Sequence, residues 1–130
     1  MDIYDNQEFA EAFHKTAALC EKKYGSAIAQ GRHRRVFESK HCVVKLPISL
    51  EGNSANLHEA YTFKTNPNYI YARCRLIRIG DLYVLFMEKV RTRFNPYDKN
   101  EKFPDWVDSI DCGQVGFNSK GKLVAYDFGG

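Results

Sequence analysis

The stretch from residue 70 to residue 89 sets the tightest limit on what this chain can fold into. Ala72, Cys74 and Leu76 alternate with Arg73 and Arg75, the two-residue period of a strand over residues 70–79. The phase slips at Leu76-Ile77, which predicts a bulge or bend there. Gly80-Asp81 reads as a tight hairpin turn. The returning strand, Leu82 to Lys89, carries four consecutive apolar residues, Val84-Leu85-Phe86-Met87. Successive strand side chains point to opposite faces, so such a run predicts burial on both.

The flanking segments fit around that hairpin. Phe9, Phe13, Ala17, Cys20 and Tyr24 recur at steps of three or four, which predicts an amphipathic helix over residues 6–24 closed by Gly25. Ala27, Ile28, Val36, Phe37, Val43, Val44 and Leu46, interrupted at Gly31 and at Ser39-Lys40-His41, predict antiparallel strands over 26–31, 34–39 and 42–47. Pro47 ends the third. Residues 48–53 read as a loop with Gly52-Asn53 as its turn. A second helix is expected from Ser54 or Asn56 to Lys64, stopped by Asn66-Pro67-Asn68. Residues 91–105 read as a connection and 105–110 as a short helix. Residues 115–117 and 122–126 read as a hairpin about Asn118 to Gly121.

Length and composition bound the class. The chain has 130 residues, 44% hydrophobic and 14% aromatic, enough for one compact α+β domain with a real core. Its apolar runs are too short for a transmembrane helix, so no membrane partner is expected. The first twenty residues carry Asp2, Asp5, Glu8 and Glu11 and lack a signal-peptide core, so the expectation is a soluble cytoplasmic protein. The four cysteines (20, 42, 74 and 112) form no CxxC pair, which argues against zinc and disulfides alike. The net charge of +3 is uneven: residues 26–93 hold twelve Lys or Arg against five acids, while both flanks are acidic. A basic middle favours a phosphate-bearing partner: a nucleotide, a nucleic acid or a phosphoprotein.

Five features follow one another in a telling order. A strand pair surrounds Gly31; Val43-Val44-Lys45 lies on the third strand; Glu59 lies on the next helix; Met87-Glu88-Lys89-Val90 follows the buried strand; a hairpin leads into Asp127-Phe128-Gly129. This order resembles the protein-kinase-like fold, over residues 26–130. The resemblance implies an antiparallel sheet of about five strands with one helix packed on it, the small lobe of that family. An N-terminal helix would precede it and a metal-ligand hairpin follow it. It also implies a site for ATP and Mg2+. Lys45 would meet phosphate as a point cation and Glu59 would hold it in place. Gly31 and Arg35 would lie over the phosphates. The backbone at Glu88 and Val90 would bond an adenine edge. Asp127 and Gln114 would ligate magnesium, with Asp108 or Asp111 as the catalytic base. Glu59 also lies three residues after Asn56 and fits a capping-box partner equally well.

Departures from the family pattern shape the functional expectation. Only Gly31 remains of a three-glycine loop, and Arg32-His33-Arg34-Arg35 follows it, so side chains replace backbone amides as phosphate contacts or the loop binds nothing. The residue five before Gln114 is Ser109, with Asp108 and Asp111 flanking it. The sequence ends where the family continues into a substrate-binding lobe. The leading expectation is therefore a minimal, pseudokinase-type binding protein, of the kind a phage encodes to engage a host protein. Phe103, Trp106, Tyr126 and Phe128 would then lie at a face open to a partner or a second copy. The alternatives are a small phosphotransferase completed by a partner or dimer, and a nucleic-acid-binding domain using Arg32 to Arg35 and Arg73 to Arg78.

Overall fold

The computed structural model describes residues 7–65, 70–91 and 115–126. Two helices, α1 (Gln7–Tyr24) and α2 (Leu50–Thr65), accompany seven strands. These are β1 (Ala29–Gln30), β2 (Arg34–Glu38), β3 (Cys42–Pro47), β4 (Cys74–Ile79), β5 (Leu82–Glu88), β6 (Val115–Phe117) and β7 (Leu123–Ala125). The first five make one antiparallel sheet in the order β1-β2-β3-β5-β4, and β6-β7 is a separate hairpin. The fold is α+β. No helix among the described residues is long and apolar enough to cross a membrane.

Burial on both faces of β5 is what the run Val84 to Met87 demands, and each face has its own cover. Phe37, Val44, Leu46, Leu82 and Val84 pack against Phe9, Phe13, Ala17 and Cys20 of α1. Burying such side chains stabilises by about 1.5–3 kcal/mol each, so α1 is part of the core. On the other face, Leu85 and Met87 pack with Ala72 and Val124, edged by Val43 and by Ala60 of α2. Strand alternation puts Lys45 on this second face, between Val44 and Leu46, which face α1. The β6-β7 hairpin docks beside it: Tyr71 bridges to Ala125, and the N–H groups of Arg91 and Phe117 each donate to the other residue's carbonyl.

Three expectations need correction. α2 starts at Leu50, so Gly52 and Asn53 are helical and not a turn. Ser49 is the reason: its Oγ accepts the Gly52 N–H, the geometry of an N-cap. Gly52 is needed because the helix meets the β1-β2 turn closely, and a Cβ there would collide with the His33 carbonyl oxygen. Second, β4 carries no bulge, since its ladder with β5 runs unbroken from Cys74↔Met87 to Ile79↔Leu82. The phase slip is a strand with partly buried residues on both faces, Leu76 on one and Ile77 on the other. Third, the first strand is only Ala29–Gln30. The expected helix over 105–110 lies outside the described residues.

Gly52→Ala separates these effects. Helix propensity alone favours Ala by about 1 kcal/mol. The backbone contact overrides it, and the expected result in urea denaturation is a loss of roughly 1–3 kcal/mol. A gain in stability would show that the β1-β2 turn does not press on the helix.

Candidate functional site

Lys45 lies at the centre of β3, pairs across to Val36 on β2 and Leu85 on β5, and is only 6% exposed. An ammonium group in such a place needs a counter-charge. Glu59 supplies it from α2: Lys45 Nζ lies 2.7 Å from Glu59 Oε1, and Glu59 is fully buried. Lys45 Nζ also donates to the Tyr126 carbonyl at 2.7 Å, which ties it to the end of the β6-β7 hairpin. The second carboxylate oxygen, Oε2, takes Arg34 Nη1 from β2. One buried carboxylate thus holds a cation from each of two neighbouring strands. The capping-box role does not arise for Glu59, which stands more than two turns inside α2.

Asn56, also fully buried, completes the group. Its Nδ2 donates to the carbonyls of Lys45 (2.9 Å) and Tyr83 (2.7 Å), and its Oδ1 accepts from Arg34 Nη1 at 3.1 Å. Asn53, one turn earlier, bonds the Asp81 carbonyl and the Tyr83 N–H. The inner face of α2 is therefore held by polar bonds to the sheet.

A cleft of about 680 Å³ opens beside this group. Its roof is Ile28, Ala29 and Gly31 to Arg34 with Val36; its back is Val43 and Lys45; its far wall is Met87 to Val90 with Tyr126. That volume lies within the usual range for small-molecule sites, and apolar walls with a few convergent polar groups are their usual lining. Val90, at the mouth, makes no backbone hydrogen bond among the described residues, while the Glu88 and Lys89 N–H groups are taken by the carbonyls of Arg73 and His41.

Of the residues expected at a site, Gly31, Lys45, Glu88 and Val90 line the cleft and Glu59 anchors it from behind. Arg35 is not among them. It lies on the α1 side of the sheet, with its guanidinium 5.1 Å from the Phe13 ring centroid and its Nε bonded to Gln30 at 2.6 Å. The strand alternation that turns Arg35 to α1 turns Arg34 to the cleft. Asp108, Asp111, Gln114 and Asp127 lie outside the described residues, as do Phe103, Trp106 and Phe128. Asn56 and Tyr126 were not expected at the site, and Arg34 was expected only as one of the run Arg32 to Arg35. For Arg34 the available signal was its even spacing from Val36, whose partner across the ladder is Lys45. Among the described residues no cluster of His, Cys, Asp or Glu is placed to hold a metal ion.

Cys74, half-buried beside the site, bonds the Ala72 carbonyl. Burial, reinforced by the Glu59 charge, pushes its thiol up to about 12.

No family model, no curated protein and no solved structure matches this chain.

Two outcomes follow from this geometry. Glu59→Gln leaves two buried cations without their carboxylate and is expected to cost about 3–5 kcal/mol in chemical denaturation. A cost under about 1 kcal/mol would contradict the shared ion pair. Cys74 contributes a slope at high pH. Its folded pKa lies above the unfolded value, so the neutral thiol favours the fold. That contribution is whole below about pH 8.5 and is lost as pH rises toward 12. Cys74→Ala should flatten the alkaline fall in melting temperature relative to the parent chain. Parallel curves for the two proteins would refute the shift.

Proposed function

We propose that this chain is a kinase-like nucleotide-binding module, of pseudokinase type, that acts through binding and not through autonomous phosphoryl transfer. The observation that carries the reading is the buried Lys45–Glu59 pair at the back of a cleft, with Lys and Glu on the strand and helix that the family resemblance implies. A polyphosphate presents concentrated negative charge, and a lysine fixed by a carboxylate on a rigid strand meets it with little loss of side-chain entropy. The apolar walls, Val36, Val43, Met87 and Val90, suit the faces of a purine ring. The Val90 N–H would bond the edge of that ring. Magnesium, carried with the nucleotide, would neutralise phosphate charge. Asp127 and Gln114 are the residues proposed to hold it.

The binding emphasis comes from the departures already noted in the sequence: one glycine in the loop and no Asp five residues before Gln114. Phosphoryl transfer relies on positioning, and a displaced base positions poorly. A protein partner, or a second copy of the chain, is proposed as the recipient of the signal.

Magnesium-ATP at a hundred times its dissociation constant should stabilise the protein by about 2.7 kcal/mol, seen as a rise of several degrees in melting temperature. Lys45→Ala should abolish most of the rise. An unchanged melting temperature at millimolar magnesium-ATP overturns the reading, and a rise that survives Lys45→Ala overturns the assigned site.

A further inference from the structure

We propose that the outer edge of β4 is a docking edge for an extended, acidic segment of a partner protein, which adds to the sheet as a further strand. The inference stands apart from the nucleotide reading, since no residue of β4 lines the cleft.

Strand phase fixes what this edge presents. β4 ends the five-stranded sheet and, among the described residues, pairs along its length only with β5. The Glu88 N–H donates to the Arg73 carbonyl, one step beyond the Cys74↔Met87 pair. Backbone groups in an antiparallel ladder turn inward at every second residue. Arg75, Ile77 and Ile79 therefore face β5, and Cys74, Leu76 and Arg78 turn their N–H and C=O groups outward. Just before β4 the same edge already takes a strand. The Ala72 N–H donates to the Ala125 carbonyl and the Ala125 N–H to the Ile70 carbonyl, with Tyr71 and Ala125 in a parallel bridge. Strand addition is thus a use the fold already makes of this edge.

Natural sheets blunt an edge by shortness, proline, a bulge or charge. β1, at the opposite edge, is two residues long. β4 has six residues, no proline and an unbroken ladder, so charge is the device left to it. That charge has one sign: residues 70–80 hold Arg73, Arg75 and Arg78 and no acid. All three arginines are exposed. Arg78 lies over the Tyr83 ring and bonds the Gly80 carbonyl; among the described residues, Arg73 and Arg75 make no ion pair. Like charges oppose a second copy of β4 across the edge, and an acidic strand meets them favourably. Ile79, 41% exposed, adds an apolar contact at the far end. A nucleic acid would use the arginines alone, whereas alternating backbone donors and acceptors match a peptide strand.

The test combines fluorescence anisotropy with amide hydrogen exchange on the full chain. The probes are a peptide of alternating glutamate and valine, its lysine-valine counterpart, the glutamate peptide interrupted by a central proline, and oligouridylate. The glutamate-valine peptide should bind, with the lysine and proline peptides weaker by about tenfold or more. The Leu76 and Arg78 amides should exchange fast in the free chain and slowly with the peptide bound. The double variant Arg73→Glu, Arg75→Glu changes two exposed side chains; it should weaken the glutamate peptide about tenfold and strengthen the lysine peptide. If that variant does not fold, the proline and exchange comparisons on the parent chain decide. No binding of the glutamate peptide, binding that the proline leaves intact, or Leu76 and Arg78 amides already protected in the free chain overturns the docking edge. Oligouridylate bound more tightly than the glutamate peptide assigns the arginines to nucleic acid and overturns it as well.

Discussion

A single carboxylate, that of Glu59, fixes the relation of α2 to the sheet. It is fully buried, so it can remain charged only where cations reach it, and it is reached by Lys45 on β3 and Arg34 on β2. Those bonds exist only if β2 and β3 keep the register in which Val36 faces Lys45. A one-residue slip of β2 would turn Arg34 to the α1 side, and a slip of β3 would turn Lys45 there, each depriving Glu59 of a cation in a low-dielectric interior. The pair is costly to bury and contributes little net stability against an apolar alternative. Its effect is to penalise every arrangement but one.

That arrangement depends on a division of labour between the two sheet faces. The α1 side is apolar: Phe9 and Phe13 meet Phe37, Val44 and Leu46, and the hydrophobic effect acts there without directional demands. The α2 side is held by Asn53, Asn56 and Glu59, whose hydrogen bonds are directional. Apolar burial on one face offsets the desolvation of charged and polar groups on the other. The arrangement concentrates positionally exact polar groups next to the cleft, where they can be used.

The same division decides what was legible in the sequence. Apolar periodicity marked α1, β2, β3 and the β4-β5 hairpin because those elements bury apolar side chains. It marked α2 poorly because its buried residues are Gly52, Asn53, Asn56 and Glu59, a polar inner face that carries no stripe. Gly52-Asn53 imitates a turn signal, yet each residue is in a helix for a tertiary reason: close approach to His33 for one and two bonds to the β4-β5 hairpin for the other. At the site, Lys45 and Glu59 could be singled out from their order along the chain. Arg34 and Arg35 could not be told apart until the strand phase was known, and a one-residue difference puts them on opposite faces.

The fastening of the β1-β2 turn to α2 gives the cleft a mechanical property that neither element has alone. The Ile48–His33 backbone bond, the His33–Ser49 contact, the two bonds of Arg34 and the Gly52 contact all join the roof to the helix or to the residues that lead into it. Together these contacts set the position of residues 31–34 by the same helix that carries Glu59. The contacts that place the roof of the cleft and those that place its lysine thus converge on one helix.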